Sequence, residues 1–311
     1  MTNRLVFMGT PEFAVPSLEA VVAAGHIVRL VVTQPDRPKG RGRRIEAPPV
    51  KVCAQRLGLP VIQPASLRDE AVLRALASTE ADFFIVVAFG HILREAVLRM
   101  PRVACINVHA SILPSYRGPA PIQWAVINGD AETGVTTMIM DKGLDTGDIL
   151  LTAREPITRA DTGGSMHDRL ARTGAALLVR TLQAFADGTI RRTPQDHSRA
   201  THAPLLSKTD GRIDWKRPAS ALEPFIRGMS PWPGAHTFWK DMRLKIFRAD
   251  PCAGRPDAAP GTVLVSNHEK LVVAAGEGAL SIREVQSASG NRLPIADFLR
   301  GCRIPDGAVL S

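Results

Sequence analysis

The feature that most constrains the fold is the segment DFFIVVA at residues 82–88, which is apolar at every position after the first. A strand with one face in water alternates apolar and polar residues, so this strand must be buried on both faces. Such strands occur in parallel sheets covered by helices, and strand-like and helix-like segments alternate around it. This pattern predicts an α/β fold with a doubly wound, mostly parallel sheet. Predicted strands cover 4–8, 27–32, 60–62, 82–88 and 135–140, with a further strand from 105, and predicted helices cover 13–24, 50–57, 67–76, 92–98, 122–127 and 163–186.

The chain changes character after the last of these helices. Residues 190–206 are polar and charged, and we interpret them as a linker. Beyond them helical periodicity is mostly absent, and short β-rich pieces are separated by Gly and Pro, which predicts a small β-barrel. We therefore divide the chain into a domain at 1–189, a linker at 190–206 and a second domain at 207–311. The predicted strands of the second domain are 244–247, 261–265, 270–274 and 280–282.

Composition narrows the class of protein. The four cysteines are widely spaced and form no CxxC pair, which argues against a disulfide framework or a zinc site. No apolar run approaches the ~20 residues of a membrane-spanning helix, and the N-terminal residues lack the layout of a signal peptide. We therefore expect a cytoplasmic protein with reduced cysteines, no metal and no membrane partner.

The charge of the chain is strongly basic, at +9, with an isoelectric point of about 9.9. Residues 1–189 carry 21 Lys and Arg against 18 Asp and Glu, whereas residues 190–311 carry 18 against 12. A basic excess of this size is typical of proteins that bind RNA or DNA, although a generic basic surface explains it equally well. Aromatic residues make up only 5% of the chain, so a broad base-stacking platform is not predicted.

Two polar residues interrupt the apolar strand that starts at Cys105. Asn107 and His109 are two positions apart and therefore point to the same side of the strand, while Ile106 and Val108 point to the other. A carboxamide donor beside an imidazole suits acyl transfer, because one group can hold a developing oxyanion while the other moves a proton. A structural histidine with an incidental asparagine is an equally good explanation of the spacing alone.

The surrounding motifs decide between these readings. The stretch NVHASILPSYRGPAPIQ at 107–123, followed by GLDTGDI at 143–149, closely resembles the folate-dependent formyltransferases. The resemblance implies a Rossmann-like domain joined to a C-terminal OB-like β-barrel, with 10-formyltetrahydrofolate as co-substrate. It also implies that Asn107, His109 and Asp145 are catalytic. By the same resemblance the folate-contacting segment consists of Ser111, Ile112, Leu113 and Pro114, where Ile112 replaces the usual Leu without a change in apolar character.

Further motifs resemble the branch of this family that acts on methionyl-tRNA. They are FMGTPEFAVPSLEAV at 7–21, TQPDRPKGRGRRIEAPPVK at 33–51, KTDGRIDW at 208–215 and MSPWPGAHT at 229–237. The branch implies transfer of a formyl group to the α-amino group of initiator methionyl-tRNA for translation initiation. The loop at 34–49 is strongly cationic and too polar to bury. It is either a solvated loop or a segment that orders on the acceptor end of a tRNA. Its basic residues are Arg37, Lys39, Arg41, Arg43 and Arg44, and the resemblance implies that Arg41 discriminates between tRNAs.

Three other functions fit parts of the sequence. A formyltransferase for a small amine, such as glycinamide ribonucleotide or an amino-sugar nucleotide, would share Asn107, His109 and Asp145 but would not need the cationic loop. An RNA-binding protein with a decayed site would not need the intact motifs. A nicotinamide-dependent dehydrogenase would need a GxGxxG turn, which the first strand lacks. We expect a monomer without an obligate protein partner.

Overall fold

The computed structural model describes residues 2–39, 44–288 and 290–311. The chain separates into two compact units, each assembled from three segments. Unit 1 consists of Met1–Pro121, Thr133–Glu155 and His167–Ala203, and unit 2 consists of Ile122–Glu132, Pro156–Met166 and Pro204–Ser311. Both units therefore contain residues from 1–189, the range predicted to form the first domain.

Unit 1 is built around a seven-stranded sheet, in the order β5-β2-β1-β6-β7-β8-β9. The strands are β1 (Arg4–Gly9), β2 (Ile27–Val32), β5 (Val61–Ile62), β6 (Phe83–Val87), β7 (Ala104–His109), β8 (Glu132–Ile139) and β9 (Ile149–Pro156), while β3 (Arg37–Lys39) and β4 (Arg44–Glu46) form a separate hairpin. Pairing is parallel from β5 to β7 and antiparallel between β7 and β8. The predicted apolar strand is β6, which lies between β1 and β7 and is buried at every position. This confirms the predicted Rossmann-like, mostly parallel sheet.

The first six helices are α1 (Val15–Ala23), α2 (Pro49–Arg56), α3 (Glu70–Ala77), α4 (Glu95–Leu98), α5 (Pro121–Ile127) and α6 (Gly163–Ala186), with a short 3-10 helix at Glu12–Ala14. On one face of the sheet, Val6 and Phe84 pack with Leu76 of α3 and Val97 of α4. Burial of each such side chain contributes about 1.5–3 kcal/mol to folding. Helix α3 begins later than predicted because the Asp69 carboxylate accepts a hydrogen bond from a main-chain N–H at 2.8 Å and caps the helix there.

Unit 2 contains an antiparallel sheet in the order β10-β11-β14-β13-β12, with β15 paired to β14. Its strands are β10 (His236–Trp239), β11 (Met242–Cys252), β12 (Val263–Ser266), β13 (Leu271–Ala274), β14 (Ala279–Ser287) and β15 (Leu293–Pro294). Register shifts on either side of Arg248 bend the long β11–β14 pair, and the sheet curls into a half-barrel. This confirms the predicted C-terminal β-barrel-like sheet. Two helices, α7 (Ala219–Gly228) and α8 (Ile295–Gly301), were not predicted, because both are short and α7 contains Pro224.

The segment predicted as a linker is part of unit 1 as far as Ala203. Thr193 bridges Ile149 of β9, and His202 forms a parallel bridge with Arg117. Within this segment Gln195 is only 7% exposed, although its sequence neighbourhood is polar. The difference from the predicted linker arises because the segment satisfies its polar groups with main-chain and side-chain partners of unit 1, as described below.

Among the residues that the structure describes, no helix is long and apolar enough to cross a membrane, and no group of three or more His, Cys, Asp or Glu is placed to hold a metal ion. The four cysteines are free thiols.

The two kinds of cysteine environment predict different reactivity. Cys105 on β7 is buried, and desolvation raises the pKa of its thiol to about 12. At pH 8 the reactive thiolate is then roughly 10⁻⁴ of the population. We expect a thiol reagent to modify the exposed Cys252 first and Cys105 only after unfolding, as measured by peptide mass spectrometry with and without denaturant. Rapid labelling of Cys105 in the folded protein would contradict this burial.

Candidate active site

Asn107 and His109 lie near the carboxyl end of β7, on the same side of the sheet. Between them, Val108 is 3% exposed and points toward α6, where a Cβ placed on Gly174 would lie 3.0 Å from Val108 Cγ1. The close approach of α6 covers that side of β7. The two polar side chains therefore face the opposite side of the sheet. They lie near the carboxyl ends of the strands, where α/β proteins bind ligands.

Asp145 joins both side chains into one cluster. Its Oδ1 accepts a hydrogen bond from Asn107 Nδ2 at 3.3 Å, and its Oδ2 lies 3.6 Å from His109 Nδ1. The main-chain N–H of Gly118 donates to the same Oδ2 at 2.9 Å. The structure thus brings together the three residues predicted to be catalytic, although 38 positions separate Asn107 from Asp145.

The contacts of the His109 ring define which nitrogen is free. Its Nε2 lies 3.0 Å from the main-chain oxygen of Tyr116. A carbonyl oxygen only accepts hydrogen bonds, so we assign the ring hydrogen to Nε2 in this arrangement. Nδ1 is then the nitrogen that can take up a proton. It faces the Asp145 carboxylate at 3.6 Å, which is longer than a hydrogen bond.

The loop that carries Asp145 is tightly built. Asp145 has a φ of +54°, a left-handed conformation that costs of order 1–3 kcal/mol and persists only where the surroundings hold it. Asp141 Oδ1 accepts a hydrogen bond from Thr146 Oγ1 at 2.6 Å. At Gly147 the backbone passes so close to β8 that a Cβ would lie 1.9 Å from the main-chain oxygen of Ile139. Only glycine fits there, which explains the glycine that follows Asp-Thr in the motif.

The segment predicted to contact folate follows β7 directly. The Ser111 hydroxyl is fully buried and donates to a main-chain oxygen four residues later at 2.6 Å. Thr136 Oγ1 donates to the main-chain oxygen of Ser111 at 2.7 Å and lies 3.3 Å from the Leu113 nitrogen, which donates to it. The side chains of Ser111 and Leu113 are therefore buried in the interior. Only Ile112 and Pro114 of the four expose part of their side chains.

The cationic segment contains the hairpin of β3 and β4, in which Arg37 pairs with Glu46 and Lys39 with Arg44. Arg37 is exposed, and the apolar Ile45 beside it is 74% exposed. Arg41 and Arg43, which were predicted to bind tRNA, lie outside the described residues. The β3–β4 pair is therefore a regular two-stranded ribbon rather than an irregular loop.

Sequence reasoning missed two buried polar residues beside the cluster. Arg117 and Gln195 are 5% and 7% exposed and hydrogen-bond to each other across 78 positions of sequence. Arg117 lies inside the motif at 107–123, in which the resemblance assigned no role to it. Gln195 lies in the segment that was predicted as a linker. No local pattern connects the two, because the contact exists only in the folded chain.

Comparison with known proteins identifies the family. The family model described as "Formyl transferase" matches residues 3–182, and the model "Formyl transferase, C-terminal domain" matches residues 205–303. The chain belongs to the formyl transferase family. The resemblance predicted from the motifs around Asn107 and Asp145 is therefore confirmed.

Full-length relatives indicate which branch of the formyl transferase family this chain resembles. The methionyl-tRNA formyltransferase of Agathobacter rectalis is 48% identical over 308 residues, which cover 99% of either chain. The methionyl-tRNA formyltransferase of Desulfotalea psychrophila is 48% identical over 307 residues, which cover 99% of this chain and 95% of that one. These relatives confirm the predicted branch.

Solved structures share the fold at low sequence identity. An N-formyltransferase from Helicobacter canadensis, in complex with folinic acid and dTDP-3-aminofucose, has a TM-score of 0.69 and 18% identity, and the match covers 94% of this chain and 100% of that one. HypX from Aquifex aeolicus in complex with tetrahydrofolic acid has a TM-score of 0.64 and 17% identity, and the match covers 96% of this chain but 47% of HypX. The formyltransferase fold is thus found in proteins crystallised with folates.

Proposed function

We propose that this protein transfers the formyl group of 10-formyltetrahydrofolate to the α-amino group of initiator methionyl-tRNA, giving N-formylmethionyl-tRNA for translation initiation. The observation that carries the proposal is the full-length identity of 48% to methionyl-tRNA formyltransferases. The cluster of Asn107, His109 and Asp145 provides the groups that such a reaction needs.

His109 serves as the general base in this reaction. The amine nitrogen forms a bond to the formyl carbon and loses a proton to His109 Nδ1. The bond between that carbon and the folate nitrogen then breaks, and the folate nitrogen takes up the proton. Asp145, with Oδ2 at 3.6 Å from Nδ1, stabilises the imidazolium that exists between the two transfers.

Asn107 serves as the oxyanion donor. Its Nδ2 carries two hydrogens, of which one is directed to Asp145 Oδ1 at 3.3 Å. The second hydrogen is available to the formyl oxygen as that oxygen becomes anionic. The exposed parts of Ile112 and Pro114, with the backbone of Ser111 and Leu113, form an edge for the folate.

The tRNA contacts come from two parts of the chain. The basic residues Arg37, Lys39, Arg41, Arg43 and Arg44 meet the acceptor end. The domain at 207–311 follows the phosphates with exposed cations such as Arg212, Lys216, Lys240 and Arg248. Formyl transfer itself belongs to unit 1, which includes the chain as far as Ala203. The enzyme acts as a cytoplasmic monomer, without a membrane or an obligate protein partner.

A direct assay tests this function. Purified protein is incubated with 10-formyltetrahydrofolate and charged initiator methionyl-tRNA, with parallel reactions on free methionine, glycinamide ribonucleotide and an amino-sugar nucleotide. Formylated product on the tRNA alone is expected. Product only on a small amine would keep the cluster and refute the tRNA acceptor, and no product on any acceptor would refute the enzyme.

Arg41→Ala is expected to raise the KM for initiator methionyl-tRNA by about 10-fold or more, because a charge-assisted contact to RNA contributes roughly 1.5–3 kcal/mol. The KM for the folate should change by less than about twofold. Steady-state kinetics with each substrate varied in turn measure both values. Arg74→Ala, which removes an exposed arginine from α3, is the matched control and should leave both unchanged. Equal losses for tRNA and folate would contradict the role of Arg41.

A further inference from the structure

We propose that Gln195 is a positioning residue for Asp145, and that Arg117 fixes the orientation of the Gln195 amide. The inference rests on the proposed formyl transfer at this cluster. It assigns a role to a residue outside the motifs on which the family was recognised.

The amide of Gln195 clamps the loop that carries Asp145. Its Nε2 donates to the main-chain oxygen of Asp145 at 2.9 Å and to that of Gly147 at 2.7 Å. Both amide hydrogens are thereby used, on the two carbonyls that flank Thr146. Because Asp145 is held at a φ of +54°, a fixed partner on its own carbonyl stabilises the conformation that aims its carboxylate at His109.

Arg117 decides which way the amide points. Its Nε and Nη2 donate to Gln195 Oε1 at 3.1 and 2.6 Å, and Nη2 also lies 3.0 Å from His197 Nδ1. The reversed amide would place its NH₂ group against the guanidinium and its oxygen against two carbonyls. Both ends of that arrangement are repulsive, so the buried Arg117 selects the rotamer in which Nε2 faces the loop.

The same part of unit 1 also holds the carboxylate end of Asp145. Gly118, which follows Arg117, donates its N–H to Asp145 Oδ2 at 2.9 Å. The Arg117 main chain is fixed by Thr201 and Ala203, with N···O distances of 2.8 and 2.7 Å. Backbone and side chain of Asp145 are thus positioned by one hydrogen-bonded unit that includes Gln195. Catalytic groups must be held to within about 0.5 Å of their productive position, so support of this kind is what a catalytic Asp145 requires.

Gln195→Glu tests the proposal. The variant keeps an oxygen for Arg117 but replaces the two donors by an acceptor next to two carbonyl oxygens. We expect kcat to fall about 10- to 100-fold, as for an approximately 1 Å misplacement of a catalytic group. KM for either substrate should change by less than about threefold. In an Asp145→Asn background the same change should lower kcat by less than about threefold, because the residue being positioned is already impaired.

A readout that is independent of turnover accompanies the kinetics. In protein labelled with ¹⁵N-histidine, the NMR signals of the His109 ring are assigned by their loss in His109→Gln. In Gln195→Glu these signals should move toward the positions that they take in Asp145→Asn. Thr181→Val is the structural control, because it removes a buried 2.8 Å hydrogen bond to Thr137 on the α6 side of the sheet, which is the face opposite the cluster. It should lower Tm but change neither kcat nor the His109 signals.

Several results would overturn the role of Gln195. They are a kcat within twofold of wild type in folded Gln195→Glu, an equal loss in the Asp145→Asn background, or unmoved His109 signals. If Gln195→Glu does not fold, Gln195→Leu removes the donors without adding charge and is subject to the same criteria. A wild-type protein that formylates no acceptor would refute the proposed function, and the His109 signals would still decide the positioning role.

Discussion

His109→Ala is expected to lower kcat for formyl transfer by about 10²–10⁴-fold, the range that a general acid–base residue contributes. In the proposed reaction the imidazole removes the proton from the attacking amine and returns it to the folate nitrogen. Alanine leaves Asn107 and Asp145 in place, so the affinity for tRNA should stay within about twofold of wild type. Single-turnover formylation measures the rate, and filter binding of methionyl-tRNA measures the affinity.

The matched control for this variant is His26→Ala. His26 Nδ1 accepts a hydrogen bond from the Asn3 main-chain nitrogen at 3.2 Å, next to the amino end of β2 and away from the cluster. Its removal should leave kcat unchanged. If His109→Ala retained full activity, or if it lost tRNA affinity in proportion to rate, His109 would not be the base.

Asn107→Asp should lower kcat by about 10²–10³-fold, the usual effect of removing one oxyanion donor. The ionised side chain has no hydrogen to donate to the formyl oxygen. It also places a second carboxylate at the position from which Asn107 Nδ2 now contacts Asp145 Oδ1 at 3.3 Å. The loss should be in kcat rather than in the KM for tRNA, because the interaction is made mainly in the transition state.

Asn267→Asp is the control for added charge. Asn267 Oδ1 accepts from the main-chain nitrogens of Glu269 and Lys270, both at 2.9 Å, and an aspartate accepts equally well. Its kcat should equal that of wild type. An Asn107→Asp enzyme within about threefold of wild type would show that the Asn107 amide does not stabilise the oxyanion.

Local patterns predicted most of unit 1. The predicted helix at 163–186 agrees with α6 (Gly163–Ala186), and the apolar run at 82–88 forms β6 at the centre of the sheet. These elements were readable because each is long, or buried on both faces, and therefore carries a periodicity of its own. The strand β9 and the helices α7 and α8 were missed, since they are short, half-exposed or interrupted by proline.

Polar composition misled the interpretation of residues 190–206. A polar segment usually lies in solvent, but Gln195 is buried because Asp145, Gly147 and Arg117 satisfy both ends of its amide. Its partners lie 48 to 78 positions away. A buried polar group with distant partners is invisible to any reasoning that uses neighbours in sequence.

The sequence by itself determined the α/β class, the formyl transferase family and the common face of Asn107 and His109, because strand periodicity and contiguous motifs are local properties. Only the tertiary structure showed that Asp145, which the motif singles out, contacts both residues, and that Asp141 accepts a hydrogen bond from Thr146 and closes the loop. The tertiary structure alone revealed that Arg117 and Gln195 support Asp145. These relations depend on how β7, the loop after β8 and the chain after α6 meet in space, and such contacts form only when the whole unit is folded.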